Sequence, residues 1–242
     1  MKLEIGSNDH FEIRRVQCNA AAGKGFTVLY LSDLHFKRNS YQLIVKMIDQ
    51  IDELNPDIIL LGGDYIDFKS QLPKLDRLLE VLSKRDNVFA IAGNHDYTFN
   101  IDIIRERMER HNIYWLENNS VCVTINNSII QLDGTKPGKR KASVDLAILC
   151  LHQPINIQKF HTEYDIAFAG HLHGCQFVFW QKDKKLYPGR LFYKWNLLEQ
   201  TDGNCNYYIS KGMGDTLPVR FNCSKEMVFV QVPANHSINA SL

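Results

Sequence analysis

The chain has 242 residues, of which 45% are hydrophobic and 23% charged, with a formal net charge of +1. This composition is typical of a globular protein that builds its own core, and it argues against a disordered chain or a disulfide-dependent miniprotein. The balanced charge gives no global attraction to nucleic acid or anionic membranes, so such a partner would need a local patch.

The cysteines and the first residues bear on the cellular compartment. The six cysteines are scattered at positions 18, 122, 150, 175, 205 and 223, with no CxxC pair. The start lacks the apolar stretch of a signal peptide, and no run approaches the roughly 18 apolar residues of a membrane span. We therefore expect reduced thiols and a cytoplasmic protein.

Short apolar runs alternate with amphipathic stretches along the first 170 residues. Because the runs lack polar alternation, they predict strands covered on both faces; they lie at 26–31, 57–61, 88–91, 146–151 and 165–169. Residues 40–54 and 73–82 carry apolar side chains at helical spacing, and Asn100 is a candidate N-cap for a third helix. This alternation predicts a largely parallel sheet with right-handed crossovers.

From about residue 113 the pattern changes to short strand-like pieces. These are SVCVTI, SIIQL, NYYIS and EMVFVQV, with NN, DG and GN turns nearby. They predict a second, more antiparallel sheet that packs on the first. The predicted fold class is α/β, a two-sheet sandwich in which no linker or repeat marks a domain boundary.

Each of the five apolar runs ends in a polar motif. The motifs are SDLH (32–35), GGD (62–64), GNHD (93–96), LH (151–152) and GHLHG (170–174). The carboxyl ends of parallel strands share one edge of a sheet, so topology should bring these residues together. Each motif alone is a weak match, and a lone histidine is more often structural. Chance matches and structural histidines do not account for five motifs in this order, each at the end of a separate apolar run.

The residue types in these motifs favour metal ions. Carboxylates, one amide oxygen and several imidazoles suit divalent cations such as Mn²⁺, Fe or Zn²⁺, whereas the scarcity of thiolates disfavours a structural zinc site. The set is too large for one ion. Two ions that share a carboxylate would clamp the attacking and leaving oxygens of a phosphoryl group. The candidate ligands are Asp33, His35, Asp64, Asn94, His152, His171 and His173.

These ordered motifs resemble those of the calcineurin-like metallophosphoesterase superfamily. The segments YPGRLF and YYISKGMGDTLPVRFNC further resemble its YkuE-like bacterial branch. The resemblance covers about residues 11–232 and implies one domain over residues 1–242, with mixed sheets flanked by helices in four αββα layers. It implies that Asp33, His35 and His173 hold one ion, that Asp64 bridges, and that Asn94, His152 and His171 hold the other.

The resemblance also implies the chemistry. His95 would face the substrate as a catalytic residue, with Asp96 beside it to orient the ring and favour its cationic form. The alternative role for Asp96 is to cap a turn. The expected reaction is hydrolysis of a phosphodiester or phosphomonoester by a metal-bridging hydroxide. Mn²⁺ is the favoured ion, with Fe, Zn²⁺ or Mg²⁺ as alternatives.

The sequence is also compatible with other functions. The YkuE-like branch is related to UDP-diacylglucosamine pyrophosphatases of lipid A synthesis, which makes a nucleotide-linked lipid the sharper alternative substrate. A non-catalytic protein-binding scaffold is the alternative from another class, although the complete ligand set argues against it. Nucleic-acid cleavage fits the chemistry, but the extended basic surface that it would need is missing.

The segment that follows the last motif bears on the substrate. YPGRLFYKWN (187–196) makes Arg190 and Lys194 candidate contacts for a phosphate, a nucleobase or an acyl chain, with a packed loop as the alternative. GHLHGCQ departs from the family's GHTHGGQ at Leu172, which should point away from the metals, and at Cys175, which we interpret as a space-filling residue rather than a thiolate. The basic runs at 136–141 and 182–185 leave peripheral contact with a membrane open.

Overall fold

The computed structural model describes residues 1–6 and 8–235. Within these ranges two six-stranded sheets stack on each other. The strands and helices in chain order are β1 Leu3–Ile5, β2 Phe11–Gln17, β3 Phe26–Leu31, α1 Tyr41–Leu54, β4 Ile58–Leu61, α2 Leu72–Leu82, β5 Val88–Ala90, α3 Asn94–Phe99, α4 Ile101–Arg110, β6 Tyr114–Trp115, β7 Ser120–Ile125, β8 Ser128–Asp133, β9 Leu146–Cys150, β10 Ile166–Ala169, β11 Val178–Lys182, β12 Lys185–Pro188, β13 Glu199–Asp202, β14 Cys205–Ile209, β15 Val219–Phe221 and β16 Lys225–Val232. Short 3-10 turns cover Lys69–Gln71, Ile157–Lys159, His173–Cys175 and Gly189–Leu191.

The first sheet has the strand order β2-β16-β3-β4-β5-β6. Strands β3 to β6 are parallel, as the strand–helix alternation predicts. Strand β16 runs antiparallel to β3 and parallel to β2. The prediction that EMVFVQV belongs to the second sheet is therefore wrong. A strand that is buried on both faces carries no local mark of the sheet it joins, so its sequence could not decide this.

The second sheet has the order β13-β14-β10-β9-β8-β7. Its four central strands are parallel, and only the outer pairs β13–β14 and β7–β8 are antiparallel. The apolar runs at 146–150 and 166–169 thus lie in this sheet and not in the first. The five runs divide three to two between the sheets, which corrects the expectation of a single parallel edge.

Helices cover the outer face of the first sheet. Ile44 and Met47 of α1 and Leu75 and Leu79 of α2 are fully buried against it. The N-cap prediction for α4 is confirmed, because the Asn100 side chain accepts hydrogen bonds from the next helical N–H groups at 3.1 and 3.2 Å. The short helix α3 was not predicted, because its sequence NHDYTF has no apolar periodicity.

The outer face of the second sheet is covered differently. Leu149, Ala167 and Tyr207 pack there against Ile157 and Leu197, which belong to a 3-10 turn and a loop. The predicted fold class, an α/β two-sheet sandwich, is confirmed. The expected fourth layer is present as turns and loops among the described residues rather than as α-helices.

The carboxyl ends of β3, β4 and β5 meet those of β9 and β10 at one edge of the sandwich. The Tyr30 hydroxyl donates to the Leu151 carbonyl across the sheets at 2.9 Å, and its ring stacks on Phe168 at 5.1 Å. Both aromatic rings belong to the core between the sheets, which fixes the two sets of strand ends relative to each other. Residues that leave different sheets can therefore share one site.

Two small ribbons complete the structure. Strands β1 and β15 pair antiparallel, and β11 and β12 form a hairpin. They contact each other through Phe179 and Phe221, whose ring centroids lie 5.3 Å apart. Among the helices of the described residues, none has the length and apolar character needed to span a bilayer.

Candidate metal centre

Five of the predicted ligands have left-handed backbone conformations, which non-glycine residues adopt uncommonly. They are Asp33, His35, Asp64, His171 and His173, with φ between 37° and 71°. Each such residue costs on the order of 1–3 kcal/mol and persists only where the surrounding structure enforces it. The strain is concentrated in the turns that follow the strands, and these turns point the five side chains toward one another.

The first group of ligands comprises Asp33, His35 and His173. Their side chains are buried, and one candidate ligand atom from each lies within 4.8 Å of the others. His173 Nε2 is 3.6 Å from Asp33 Oδ1. The Asp33 carboxylate is held in place by the Ser32 hydroxyl at 2.6 Å and by the backbone N–H of His171 at 2.9 Å.

The second group comprises Asp64, Asn94, His152 and His171. His152 Nε2 lies 3.3 Å from Asp64 Oδ2, 2.9 Å from Asn94 Oδ1 and 3.2 Å from His171 Nδ1. One candidate ligand atom from each of Asp64, His152 and His171 lies within 4.8 Å of the others. The structure therefore brings all seven residues into two adjacent groups.

Asp64 lies between the groups. The same oxygen, Oδ2, is 3.5 Å from His35 Nε2 on one side and 3.3 Å from His152 Nε2 on the other. The other oxygen, Oδ1, accepts a hydrogen bond from the His95 backbone N–H at 2.8 Å. This carboxylate is in reach of both groups at once.

Three of the four candidate histidines direct Nε2 toward the carboxylates of the two groups. His35 Nδ1 contacts Asp67 Oδ1 at 2.8 Å, His152 Nδ1 contacts the Gly62 carbonyl at 2.8 Å, and His173 Nδ1 contacts the Gly214 carbonyl at 3.2 Å. Such contacts hold a proton on Nδ1, so that Nε2 can supply the lone pair when a cation binds, as in metal-ligating histidines. His35 Nε2 is moreover buried without a hydrogen-bond partner among the described residues. The donor set thus fits divalent cations.

Burial and charge adjust the titration of these groups. Burial lowers the pKa of His173 to about 4, which keeps its ring neutral. Burial would raise the pKa of Asp64, but the hydrogen bond and charge of His152 lower it to about 2. Burial would likewise lower the pKa of His152, but its contact with Asp64 raises it to about 9. A cation at His152 competes with this proton, so binding should weaken as the pH falls.

His95 lies at the edge of the two groups, with 40% of its side chain exposed. Its Nδ1 contacts Asp67 Oδ1 at 2.8 Å, the same carboxylate oxygen that contacts His35. Asp67 was not singled out from the sequence. Its only signal is its position three residues after Asp64 in GGDYID.

Asp96 does not contact the ring of its neighbour, contrary to the expectation that it orients His95. Its buried carboxylate accepts from the backbone N–H groups of Gly93 at 2.8 Å, Asp64 at 2.7 Å and Tyr65 at 3.1 Å. Burial raises the pKa of Asp96 to about 7. Asp96 therefore joins the turns after β4 and β5, which is the capping role that the sequence left open.

Two glycines leave room for the carboxylates. A Cβ on Gly93 would lie 2.1 Å from Asp64 Oδ1, and one on Gly170 would lie 2.3 Å from Asp33 Oδ2. Neither distance is compatible with a side chain. The glycines of GNHD and GHLHG are therefore steric requirements of the site.

A buried ionic cluster supports the turn that carries His173. Arg220, which is 2% exposed, donates to Asp215 Oδ1 at 2.6 Å and to the Gly214 carbonyl at 2.6 Å. The Gly214 carbonyl in turn contacts His173 Nδ1. Lys225 forms a second ion pair with Asp215 at 3.1 Å. No sequence signal marked these residues as part of the site, beyond the branch-like segment in which most of them lie.

Two clefts flank the ligand groups. One, of about 390 Å³, lies beside Asn94 and His152 and is lined by Tyr97 and Glu117. The other, of about 430 Å³, lies beside His171 and His173 and is lined mainly by apolar groups, including Tyr193 and Leu217.

The two departures from the family's GHTHGGQ motif lie at the second cleft. Leu172 and Cys175 both line it. Burial raises the pKa of Cys175 to about 11, and its Sγ packs against Gly189. A thiol that fills space agrees with both observations.

The candidate substrate contacts lie farther along the chain. Arg190 sits in the 3-10 turn Gly189–Leu191, and its Nη1 is buried without a hydrogen-bond partner among the described residues. Lys194 Nζ lies over the Trp195 ring, 5.0 Å from its centroid. Neither residue lines the two clefts.

Comparison with known proteins identifies the family of this chain. A family profile described as calcineurin-like phosphoesterase matches residues 26–175. The metallophosphoesterase YkoQ of Bacillus subtilis is 26% identical over 87% of this chain and 85% of its own length. The phosphodiesterase YaeI of Escherichia coli is 27% identical over 86% and 82%. A solved 5'-nucleotidase of Candida albicans aligns with a TM-score of 0.43 at 13% identity, over 84% of this chain and 48% of its own. The chain therefore belongs to the calcineurin-like phosphoesterase family and is a metal-dependent hydrolase of phosphoric esters.

Proposed function

We propose that this chain hydrolyses phosphodiester or phosphomonoester bonds with two divalent ions that share Asp64. The observation that carries the proposal is the placement of Asp64 Oδ2 between His35 Nε2 and His152 Nε2. One ion would be held by Asp33, His35 and His173, and the other by Asn94, His152 and His171, with Asp64 common to both. When bound, such ions make hydroxide available near neutral pH and offset charge on the phosphate oxygens.

The mixed donor set supports Mn²⁺ as the ion, with Fe, Zn²⁺ or Mg²⁺ as alternatives. Carboxylate and amide oxygens suit hard cations, whereas imidazole suits Fe and Zn²⁺, and Mn²⁺ accepts both. Because the contact with Asp64 raises the pKa of His152 to about 9, binding of a cation at His152 should release a proton.

His95 would donate a proton to the departing alkoxide. Asp67 fixes the ring through Nδ1, which leaves Nε2 as the nitrogen that faces substrate. The same carboxylate lies where it can offset positive charge on the ring during the transfer. Asp96 would act on this step only through the backbone of the turns that it joins.

The two clefts support a substrate with a group on each side of the phosphate. A diester meets this description, and the E. coli relative carries the name phosphodiesterase. The apolar lining beside His173 also favours a second candidate, a nucleotide-linked lipid such as UDP-diacylglucosamine, whose pyrophosphate would be cut. Arg190 and Lys194 remain proposed contacts for such a substrate.

One domain and a reducing compartment complete the proposal. Strand β2, which begins at Phe11, pairs in parallel with β16, which begins at Lys225 and ends at Val232, so the first and last strands of the core are neighbours in one sheet. This pairing supports a single domain over residues 1–242 with its core at 11–232. The six cysteines are free thiols, which supports the cytoplasm as the location.

The test is a panel of phosphate esters with metal-stripped protein and Mn²⁺, Mg²⁺, Fe²⁺ or Zn²⁺ added singly. We expect turnover of a chromogenic diester and two metal ions per chain. The panel includes a UDP-linked diacyl lipid. Stoichiometry of one ion, or turnover that is unchanged by metal removal, would refute the dinuclear proposal; absence of both metal and turnover would favour a scaffold.

Two variants separate the assigned roles. His95→Ala should lower turnover roughly 10²–10⁴-fold while metal content stays near that of the wild type. Asp64→Ala should lose metal as well as activity. Full activity of His95→Ala on an ester with a poor leaving group would show that the ring does not act as the acid.

A further inference from the structure

Six of the exposed large apolar side chains lie on or next to the β11–β12 hairpin. The group comprises Phe179, Trp180, Leu191, Phe192, Tyr193 and Leu217, each between 48% and 79% exposed. We call it the hairpin surface, because five of its members lie on the β11–β12 hairpin or in the turn that follows it. Soluble proteins seldom expose so many large apolar side chains together unless the surface has a partner.

The same segment is strongly basic. Residues 177–195 contain five cationic side chains, Lys182, Lys184, Lys185, Arg190 and Lys194, and a single carboxylate, Asp183. The segment thus has a net charge of +4 in a chain whose total is +1. Among the described residues, only Lys184 of the four lysines forms an ion pair, with Glu199 at 3.1 Å.

The side chains of the hairpin surface are held in place by ring contacts and by a buried base. The Trp180 ring stacks on Tyr187 with centroids 5.0 Å apart and planes within 5°. The Phe179 ring contacts Phe221 of β15. The base of the hairpin is anchored by buried Val178 and Leu186. Aromatic side chains are therefore held outward on a fixed support.

The hairpin surface continues to the metal centre. Tyr193 and Leu217 line the same cleft as His171 and His173. A large partner that covers the hairpin surface would therefore also face the mouth of this cleft.

Aliphatic, aromatic and cationic side chains together match the interface of an anionic bilayer. Phenylalanine and leucine enter the acyl boundary, tryptophan and tyrosine sit at the headgroup level, and lysines are attracted to anionic lipids. Single-stranded nucleic acid would use the rings but not Leu191 and Leu217, and a protein partner would not require the excess of positive charge. We propose that the hairpin surface docks this protein on an anionic lipid membrane, with the cleft beside His173 facing the lipid.

The test is co-sedimentation of the full chain with phosphatidylglycerol/phosphatidylcholine vesicles and with phosphatidylcholine vesicles. It measures binding without any phosphoesterase assay, so its result is independent of the proposed function. We expect binding to the anionic vesicles that weakens with added salt. The triple variant Lys182→Gln, Lys184→Gln, Lys185→Gln should weaken binding to the anionic vesicles on the order of fivefold for each lysine.

Separate variants test whether the exposed apolar side chains insert into the membrane. Leu191→Ser and Phe192→Ser remove exposed side chains and should each lower binding at least roughly fivefold. Ile129→Ser, 38% exposed at the amino end of β8 and away from the metal edge, should leave it unchanged. Brominated lipid should quench tryptophan emission in the wild type, and Trp180→Phe should remove most of this quenching.

Three results would overturn the proposal. The first is no binding to anionic vesicles at low salt. The second is equal loss of binding in Ile129→Ser and Phe192→Ser. The third is self-association of the wild type, abolished by Phe192→Ser, without vesicle binding, which would assign the hairpin surface to a second copy of the chain.

Discussion

Arg220 links the stability of the chain to its metal centre. Its guanidinium pairs with Asp215 and donates to the carbonyls of Lys211, Gly214 and Cys223 at 2.6–3.1 Å. Replacing it with methionine keeps the apolar bulk but leaves the buried Asp215 with Lys225 as its remaining ionic partner.

The expected magnitude follows from these contacts. Removing one partner of a buried ion pair costs about 3–5 kcal/mol. For a domain of this size, that loss lowers the melting temperature by roughly 6–20 °C. Arg220→Lys keeps the charge beside Asp215 but loses the planar fork that reaches the carbonyls, so we expect a loss of about 1–3 kcal/mol.

Urea unfolding and metal titration together test this reasoning. Since the Gly214 carbonyl contacts His173 Nδ1, Arg220→Lys should also weaken cation binding about 10–100-fold at the proposed site of Asp33, His35 and His173. Arg14→Met is the matched control. Arg14 pairs with Glu226, a buried carboxylate that follows Lys225 in the chain, and donates to the Leu198 and Ile209 carbonyls. We expect it to lower stability with metal affinity unchanged within about twofold, because none of these contacts orients a metal ligand.

Two outcomes would refute the reasoning. If the free energy of unfolding of Arg220→Met lies within about 1 kcal/mol of the wild-type value, apolar packing can replace the cluster, as happens for some buried ion pairs. Equal loss of metal affinity in Arg14→Met and Arg220→Lys would show a global effect instead of a specific effect on His173.

Three further predictions concern single groups. Gly170→Ala places a Cβ 2.3 Å from Asp33 Oδ2, so metal affinity measured by titration should fall at least roughly tenfold, whereas Gly138→Ala, with 3.2 Å to its nearest atom, should keep it. Asp67→Ala releases Nδ1 of two site histidines and should lower turnover about 10–100-fold, and wild-type rates would refute its role. Burial would raise the pKa of Glu226, but the neighbouring cations lower it below 4.5. The contribution of Glu226 to the free energy of unfolding is therefore complete above pH 4.5 and is lost as the pH falls through the folded pKa. Acid unfolding should therefore be shallower in Glu226→Gln.

The roles of Asp67 and Asp96 mark a boundary of sequence-based prediction. Asp96 follows His95 in the chain, which favoured a direct contact between them. Both residues lie in α3, however, and successive side chains on a helix point about 100° apart. The carboxylate that contacts the His95 ring comes instead from Asp67, 28 residues earlier.

Strand placement marks another boundary. The runs that end before His152 and His171 are as apolar as those before Asp33 and Asp64, because all of them are buried on both faces. Two of the runs nevertheless belong to a different sheet. The motifs still converge, because the carboxyl ends of both sets of strands open on the same edge of the sandwich.

The candidate ligand types, their order and their position after the strands could be predicted from the sequence alone. These features are local, since an apolar run, a turn and a polar residue are contiguous in the chain. The tertiary structure decided which sheet each strand joins, the place of Asp64 between the two groups, and the support of His173 by Arg220. It also decided that the aromatic and basic segment after the last motif faces outward. These features depend on contacts between distant residues, which the spacing of residues along the chain does not record.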